Sequence, residues 1–318
     1  MDRKMSAAVA GEPQGGYRME LWIVITIAAA FLQNIRSSLQ RHLKAHMGTT
    51  GATFVRFGFG LPFAALYLFG MTAYSGAPIP APSPVFLAWV SLGALGQIAA
   101  TFLLLHLFSF RNFTVGTAYS RTEPAQAALF GLIFLGETVG PLTLIAIAIS
   151  VFGVMLISVA RSAFSPAALV TSVFTRTAGI GLLSGTLFGV SAVSYRAASL
   201  SLGYPNFAVQ AATTLLWAIA LQTVVMLAWM AWRDREGLVR IRAAWKISAL
   251  VGLVGATASF GWFAAMTLQQ AAVVKALAQI EMIFAFSTSV FIFREHINRL
   301  EIAGCVLIVT GILVLVLG

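Results

Sequence analysis

Ten apolar stretches divide this chain, and short polar segments separate them. They run Leu21 to Ser38, Phe54 to Tyr74, Val85 to Ser109, Thr114 to Leu135, Gly140 to Ala160, Ala178 to Ala198, Ala208 to Ala231, Lys246 to Leu268, Ala271 to Phe293 and Leu300 to Leu317. A helix needs about 20 mostly apolar residues to cross the hydrocarbon core, where backbone polar groups must bond within their own segment. The pattern therefore predicts ten transmembrane helices. The gaps carry turn and interface chemistry: 75–84 is proline-rich, 161–177 is basic, and 233–242 holds the densest charge. Pro141 and Pro205 fall where helices start. Trp22, Tyr74, Trp232 and Trp245 stand near run ends, as residues of an interfacial belt do.

Composition agrees with lipid as the solvent. Of 318 residues 59% are hydrophobic and 9% charged, whereas a soluble domain is roughly 25% charged. The formal net charge of +10 is scattered through the short gaps, which excludes a nucleic-acid surface and fits membrane orientation. One cysteine, Cys305, supports neither a disulfide framework nor a cysteine metal site. The apolar run after the polar segment 1–20 is too long for a cleaved signal and lacks a small-residue cleavage site, so the first helix is expected to stay. No phosphate-cradling loop, metal-ligand cluster or catalytic constellation is present in the sequence, so we expect no cofactor, no ATP hydrolysis and no enzyme.

An internal repeat emerges on shifting the chain by 158 residues. The fourth and fifth runs then align with the ninth and tenth without a gap, with eight identities in the 44 positions from Val115 to Ser158. Glu123 meets Glu281, Glu137 meets Glu295 and Gly153 meets Gly311. The glutamates are informative because the chain has only eight. Phe102 meets Phe260 at the same shift, which extends the pairing to the third and eighth runs. Five helices per unit is odd, so the two units enter the membrane from opposite sides. The expected fold is an all-α membrane protein of ten transmembrane helices in two inverted five-helix repeats. Its parts are a polar tail 1–20, a first repeat 21–160, a linker 161–177 and a second repeat 178–318.

These features resemble the drug/metabolite transporter superfamily, and within it the ten-helix proteins with two EamA-type domains. The second run carries Phe54-Val55-Arg56-Phe57, similar to that family's Arg-Phe. The fourth ends in Leu135-Gly136-Glu137 and the ninth in Phe293-Arg294-Glu295, each followed by an apolar helix with a late glycine, Gly153 or Gly311. Departures are Phe31-Leu32-Gln33-Asn34 in place of a Trp-Gly, and Glu123-Pro124 in the first repeat. The resemblance implies a transporter of small metabolites in a bacterial inner (plasma) membrane, with both termini cytoplasmic.

Ionisable groups within membrane helices are expensive, about 2.5–3.5 kcal/mol each on insertion scales, and mark function or pairing. Six stand out: Arg36, Arg56, Arg121, Glu123, Lys275 and Glu281. Four cations against two carboxylates favour an anionic or zwitterionic substrate over a cationic drug. Glu123 and Glu281 are candidates for substrate or proton binding; the alternative is a structural salt bridge, Glu123 with Lys275 or Glu281 with Arg121. Arg56 either clamps a carboxylate or snorkels to the interface. Glu137 and Glu295 read as caps of the helices that follow, and His106 as a hydrogen-bonding core residue. Tyr119 and Trp262 are candidate pocket walls. Gly181, Gly185 and Gly189 form a stripe for close packing between halves.

Loops after odd-numbered runs hold twelve Lys and Arg, among them Arg41, Arg111, Arg161, Arg240 and Arg294, whereas the other side holds four: Arg3, Lys4, Arg18 and Arg196. The positive-inside rule places the odd loops in the cytoplasm and the termini outside, against the resemblance; we follow the charges. The expected function is a monomeric secondary transporter exporting amino acids or related metabolites by proton coupling or exchange. The expected partners are a small-molecule substrate and the lipid bilayer. Multidrug efflux and a non-transporting membrane scaffold are the alternatives.

Overall fold

Thirteen helices and no strand form among the described residues of a computed structural model, which describes 20–76, 78–107, 110, 113–160, 174–291 and 298–317. Arg3, Lys4, Arg18, Arg111, Arg161, Arg294 and Glu295 lie outside these residues, as do nearly all of the tail and most of the linker. Eight segments are long and apolar enough to cross a membrane: Leu21–Gln40, Thr50–Ser75, Pro84–Leu107, Pro141–Ser158, Arg176–Ser201, Phe207–Arg233, Trp245–Leu268 and Arg299–Leu317. They belong to α1 (Leu21–Gly58), α2 (Leu61–Ser75), α3 (Pro84–Leu107), α6 (Pro141–Ala160), α7 (Arg176–Ser201), α8 (Phe207–Arg233), α10 (Trp245–Leu268) and α13 (Arg299–Leu317). Helix α1 runs through the first polar gap and turns at Gly48, whose φ of 74° is open to glycine without strain.

The fourth and ninth spans depart from the expected continuous helices. Each is two helices in series: α4 (Phe113–Ser120) then α5 (Glu123–Leu135), and α11 (Ala271–Leu277) then α12 (Ile280–Phe291). The breaks fall at 121–122 and 278–279, within one residue of the 158-residue repeat. Pro124 enforces the first by occupying the opening turn of α5. At the second, Gln279 and Glu281 form short turns back to Ala276 and Ala278.

Every span packs against a span of the other half. Helix α1 lies along α10 and α3 along α7, a pair of contacts exchanged by the repeat, while α2 meets α8, α5 meets α11 and α6 meets α13. The symmetry reaches single residues. A Cβ on Gly153 would sit 2.8 Å from the Gly304 oxygen, and one on Gly311 would sit 2.9 Å from the Ala146 oxygen, the same contact displaced by the repeat. At the two breaks, Gln279 Nε2 donates to the carbonyl oxygen of Arg121 at 3.4 Å, and these residues are themselves repeat mates. The pseudo-two-fold axis passes there.

Polarity is reversed relative to a water-soluble fold. Large apolar side chains such as Leu66, Phe102 and Val224 are exposed to lipid, while Gln222, Ser184, Ser194 and Thr213 are buried. Tyr74, Trp232 and Trp245 are exposed at helix ends, but Trp22 is buried, its indole donating to Glu20. Between α8 and α10 lies the short helix α9 (Arg235–Ala243), N-capped by Asp234, which accepts from Gly237 N. Its Ile241 packs with Leu43, Met47 and Met230.

Candidate substrate site

Each break starts a new helix partway along its apolar run, and each new helix has a glutamate in its first turn, Glu123 in α5 and Glu281 in α12. Exposed N–H groups and the helix dipole favour a carboxylate there. Lys275 occupies the last turn of α11, where the dipole favours a cation.

These groups meet. Lys275 Nζ lies 2.8 Å from Glu123 Oε1, joining the two halves. The pair is set by charge rather than by hydrogen-bond direction, since Glu123 Oε1 has no well-aligned donor. The same ammonium sits over the Trp262 ring, 5.5 Å from its centroid, in cation–π range. Trp262 Nε1 donates to Gln33 Oε1 at 3.0 Å, and Gln33 Nε2 donates to Glu281 Oε2 at 2.6 Å. A continuous chain of contacts thus runs from one repeat-related glutamate to the other through α11, α10 and α1. Trp262 is 6% exposed and Gln279 is also 6% exposed.

Other residues singled out from the sequence take different places. Arg121 stands in the first break and Tyr119 shortly before it, but the Glu123-to-Glu281 chain does not run through them, and no ion pair joins Arg121 to Glu281 among the described residues. Tyr119 packs in a small cluster with Ala178, Met155 and Leu182, and its carbonyl accepts from the Thr122 hydroxyl. Arg56 does not reach outward to the interface: its Nε is enclosed, and its stem flanks Gly255 beside that of Arg36. His106 is not a core residue; it is exposed and rings with Phe102 and Phe110.

The glycine stripe on α7 faces the broken fourth span. A Cβ on Gly181 would be 2.0 Å from the Gly116 oxygen, on Gly185 2.9 Å from the Ser120 oxygen, and on Gly189 3.2 Å from Ala127 N. Only glycine lets the two backbones approach this closely.

Two polar groupings go beyond what the sequence shows. Arg196, counted with the loop charges, lies inside α7, and Glu137 is its partner rather than a cap. Arg196 Nε donates to Glu137 Oε1 at 2.6 Å, while Nη1 donates to the carbonyls of Met266 at 2.6 Å and Gln269 at 2.7 Å. One guanidinium thus caps α10 and pins it to the end of α5. Beside this clamp a cavity of about 600 Å³ is lined by Glu20, Thr138, Thr143, Gln269 and Gln270. The second grouping joins α3, α7 and α8: Gln222 Nε2 donates to Gln97 Oε1 at 2.7 Å and to the Tyr195 hydroxyl at 3.1 Å. Gln222 carried no sequence signal beyond being an amide in an apolar helix.

A multi-pass helical membrane protein of two inverted repeats, with paired discontinuous helices that bring charge to the middle of the bilayer, is the architecture of secondary transporters. Residues 20–159 and 175–317 each match the model of the EamA-like transporter family, and the chain belongs to that family, a membrane transporter of the drug/metabolite type. The fold is shared by a solved structure described only as "Crystal structure of protein", 15% identical, covering 93% of this chain and 97% of the other with a TM-score of 0.65. At that identity the likeness shows the fold alone. Comparison with curated proteins gives no match.

Proposed function

We propose that this chain is a secondary-active exporter of amino acids or related small metabolites, working by alternating access with proton coupling or exchange. The observation that carries the reading is the unbroken contact chain from Glu123 through Lys275, Trp262 and Gln33 to Glu281, which lies at the two helix breaks and crosses between the halves. A carrier must bind near its symmetry axis and change which half holds the contact, and these residues belong to both halves. Glu281, held by a single amide and not by a described salt bridge, is the better placed of the two carboxylates to exchange a proton.

A scaffold would need none of this charge in mid-membrane, where apolar residues would serve at lower cost. A multidrug carrier for cations is disfavoured by the excess of guanidinium and ammonium groups. The chain would act as a monomer in a bacterial plasma membrane. The arginine-rich odd loops would face the cytoplasm.

The test is metabolite profiling of the medium from cells expressing wild type, Glu281→Gln or empty vector at matched protein levels. A small set of metabolites should rise with wild type and fall back toward vector with Glu281→Gln. Indistinguishable media from wild type and vector across several growth conditions would sink export.

A further inference from the structure

Two guanidinium groups in this region have donors with nothing to bind. Arg36 is 7% exposed, and its Nε and Nη1, together with Nε of Arg56, are enclosed without a hydrogen-bond partner among the described residues. The two stems lie side by side against α10: a Cβ on Gly255 would be 3.2 Å from Arg36 Cδ and 3.6 Å from Arg56 Cγ. A side chain at this position would crowd Arg36 and touch Arg56 at ordinary contact distance.

The groups that face them compensate them only in part, although the Arg56 guanidinium also lies over the Phe57 ring, 5.2 Å from its centroid. Arg36 is within electrostatic reach of Arg56 and Glu281, and Glu281 already accepts from Gln33. Arg56 is within reach of Tyr195, whose hydroxyl is engaged by Gln97 and Gln222. With Lys275 and Glu123 cancelling one another, Arg36, Arg56 and Glu281 leave one positive charge. An unpaired guanidinium away from water is costly, and its planar fork matches the two oxygens of a carboxylate or phosphate.

We propose that Arg36 and Arg56 form an oxyanion site that takes the carboxylate of the transported substrate, a small organic acid of net negative charge. The assignment rests on the carrier reading and narrows it. The empty protein bears the cost of this uncompensated positive charge, and substrate relieves it. Binding therefore stabilises the fold, and loss of Arg36 has opposite effects on stability and on binding.

The test uses the full-length protein purified in detergent, with thermal unfolding followed in glutamate, succinate, inorganic phosphate or glutamine. Glutamate or succinate should raise the wild-type midpoint by several degrees, as a ligand that binds only the folded state does. Arg36→Gln and Arg56→Gln should weaken that apparent affinity about 10- to 100-fold, the loss expected for hydrogen bonds to a charged group. The unliganded Arg36→Gln protein should unfold at or above the wild-type midpoint, and Arg36→Lys should keep a weaker ligand shift. The site is overturned if no anion shifts the midpoint, if glutamine does so as well as glutamate, or if the arginine variants keep the full shift. A shift with phosphate alone overturns the carboxylate assignment. The carrier reading is judged apart from these results: metabolite export without an anion shift keeps the carrier and removes the anion site, whereas unchanged media remove the carrier.

Discussion

Lys275 and Glu123 are the one close ion pair among the described residues of the broken spans, and their worth depends on how dry they are. Removing one partner of a fully buried pair costs about 3–5 kcal/mol. These side chains are 23% and 20% exposed, so the expected loss for Lys275→Met or Glu123→Gln is about 1–3 kcal/mol. The double variant should lose less than the two single losses added. Thermal midpoints of the four proteins in one detergent check this, and additive losses would mean that the pair is not coupled. These residues were legible in the sequence because charge is rare in an apolar helix, and a Glu123–Lys275 salt bridge is one of the two pairings that such charges allow. Gln33 was visible only as one amide among many. Its role depends on α1 lying against α10, which brings it to Trp262 across 229 residues, and no local pattern encodes that contact.

At the scale of helices, hydropathy located ten spans but could not reveal that two are broken, because a window as long as a span averages over turns of two residues, Arg121-Thr122 and Ala278-Gln279. Pro124 gave a local hint for the first break; Gln279 gave none for the second. The glycine stripe was legible as spacing, yet its partner became clear only when α7 was seen against α4 and α5. Gly181→Ala places a methyl 2.0 Å from the Gly116 oxygen, whereas at Gly179 nothing lies within 4 Å. Gly181→Ala should therefore destabilise the protein by about 1–3 kcal/mol through overpacking. Gly179→Ala should be neutral or stabilising by about 0.4–1 kcal/mol. Equal midpoints for the two variants would show that the close approach is not needed.

For the whole molecule, charge is the ground for the expected orientation. With Arg196 inside α7, the sequence count becomes twelve basic residues in the odd loops against three on the other side, and three of the twelve, Arg235, Arg240 and Arg242, lie on α9. Val239 on α9 is 72% exposed. In a Cys305→Ser background, Val239→Cys should react with a membrane-impermeant thiol reagent only after cells are permeabilised; labelling of intact cells would reverse the orientation. The inverted repeat itself was legible from the aligned glutamates, because a membrane forces an odd-numbered unit to flip.

The Glu123–Lys275 pair makes the two halves unequal. Under the repeat, Lys275 corresponds to Thr117, so Glu281 has no matching ammonium and takes the Gln33 amide instead. A perfectly two-fold carrier would have facing-in and facing-out forms of equal energy when empty. On the proposed carrier reading, Lys275 helps to break that degeneracy, and the unloaded protein would have a preferred side on which to wait. Gradients would still fix the direction of net flux, but such a carrier would have a home position, to which a residue that only one half possesses contributes.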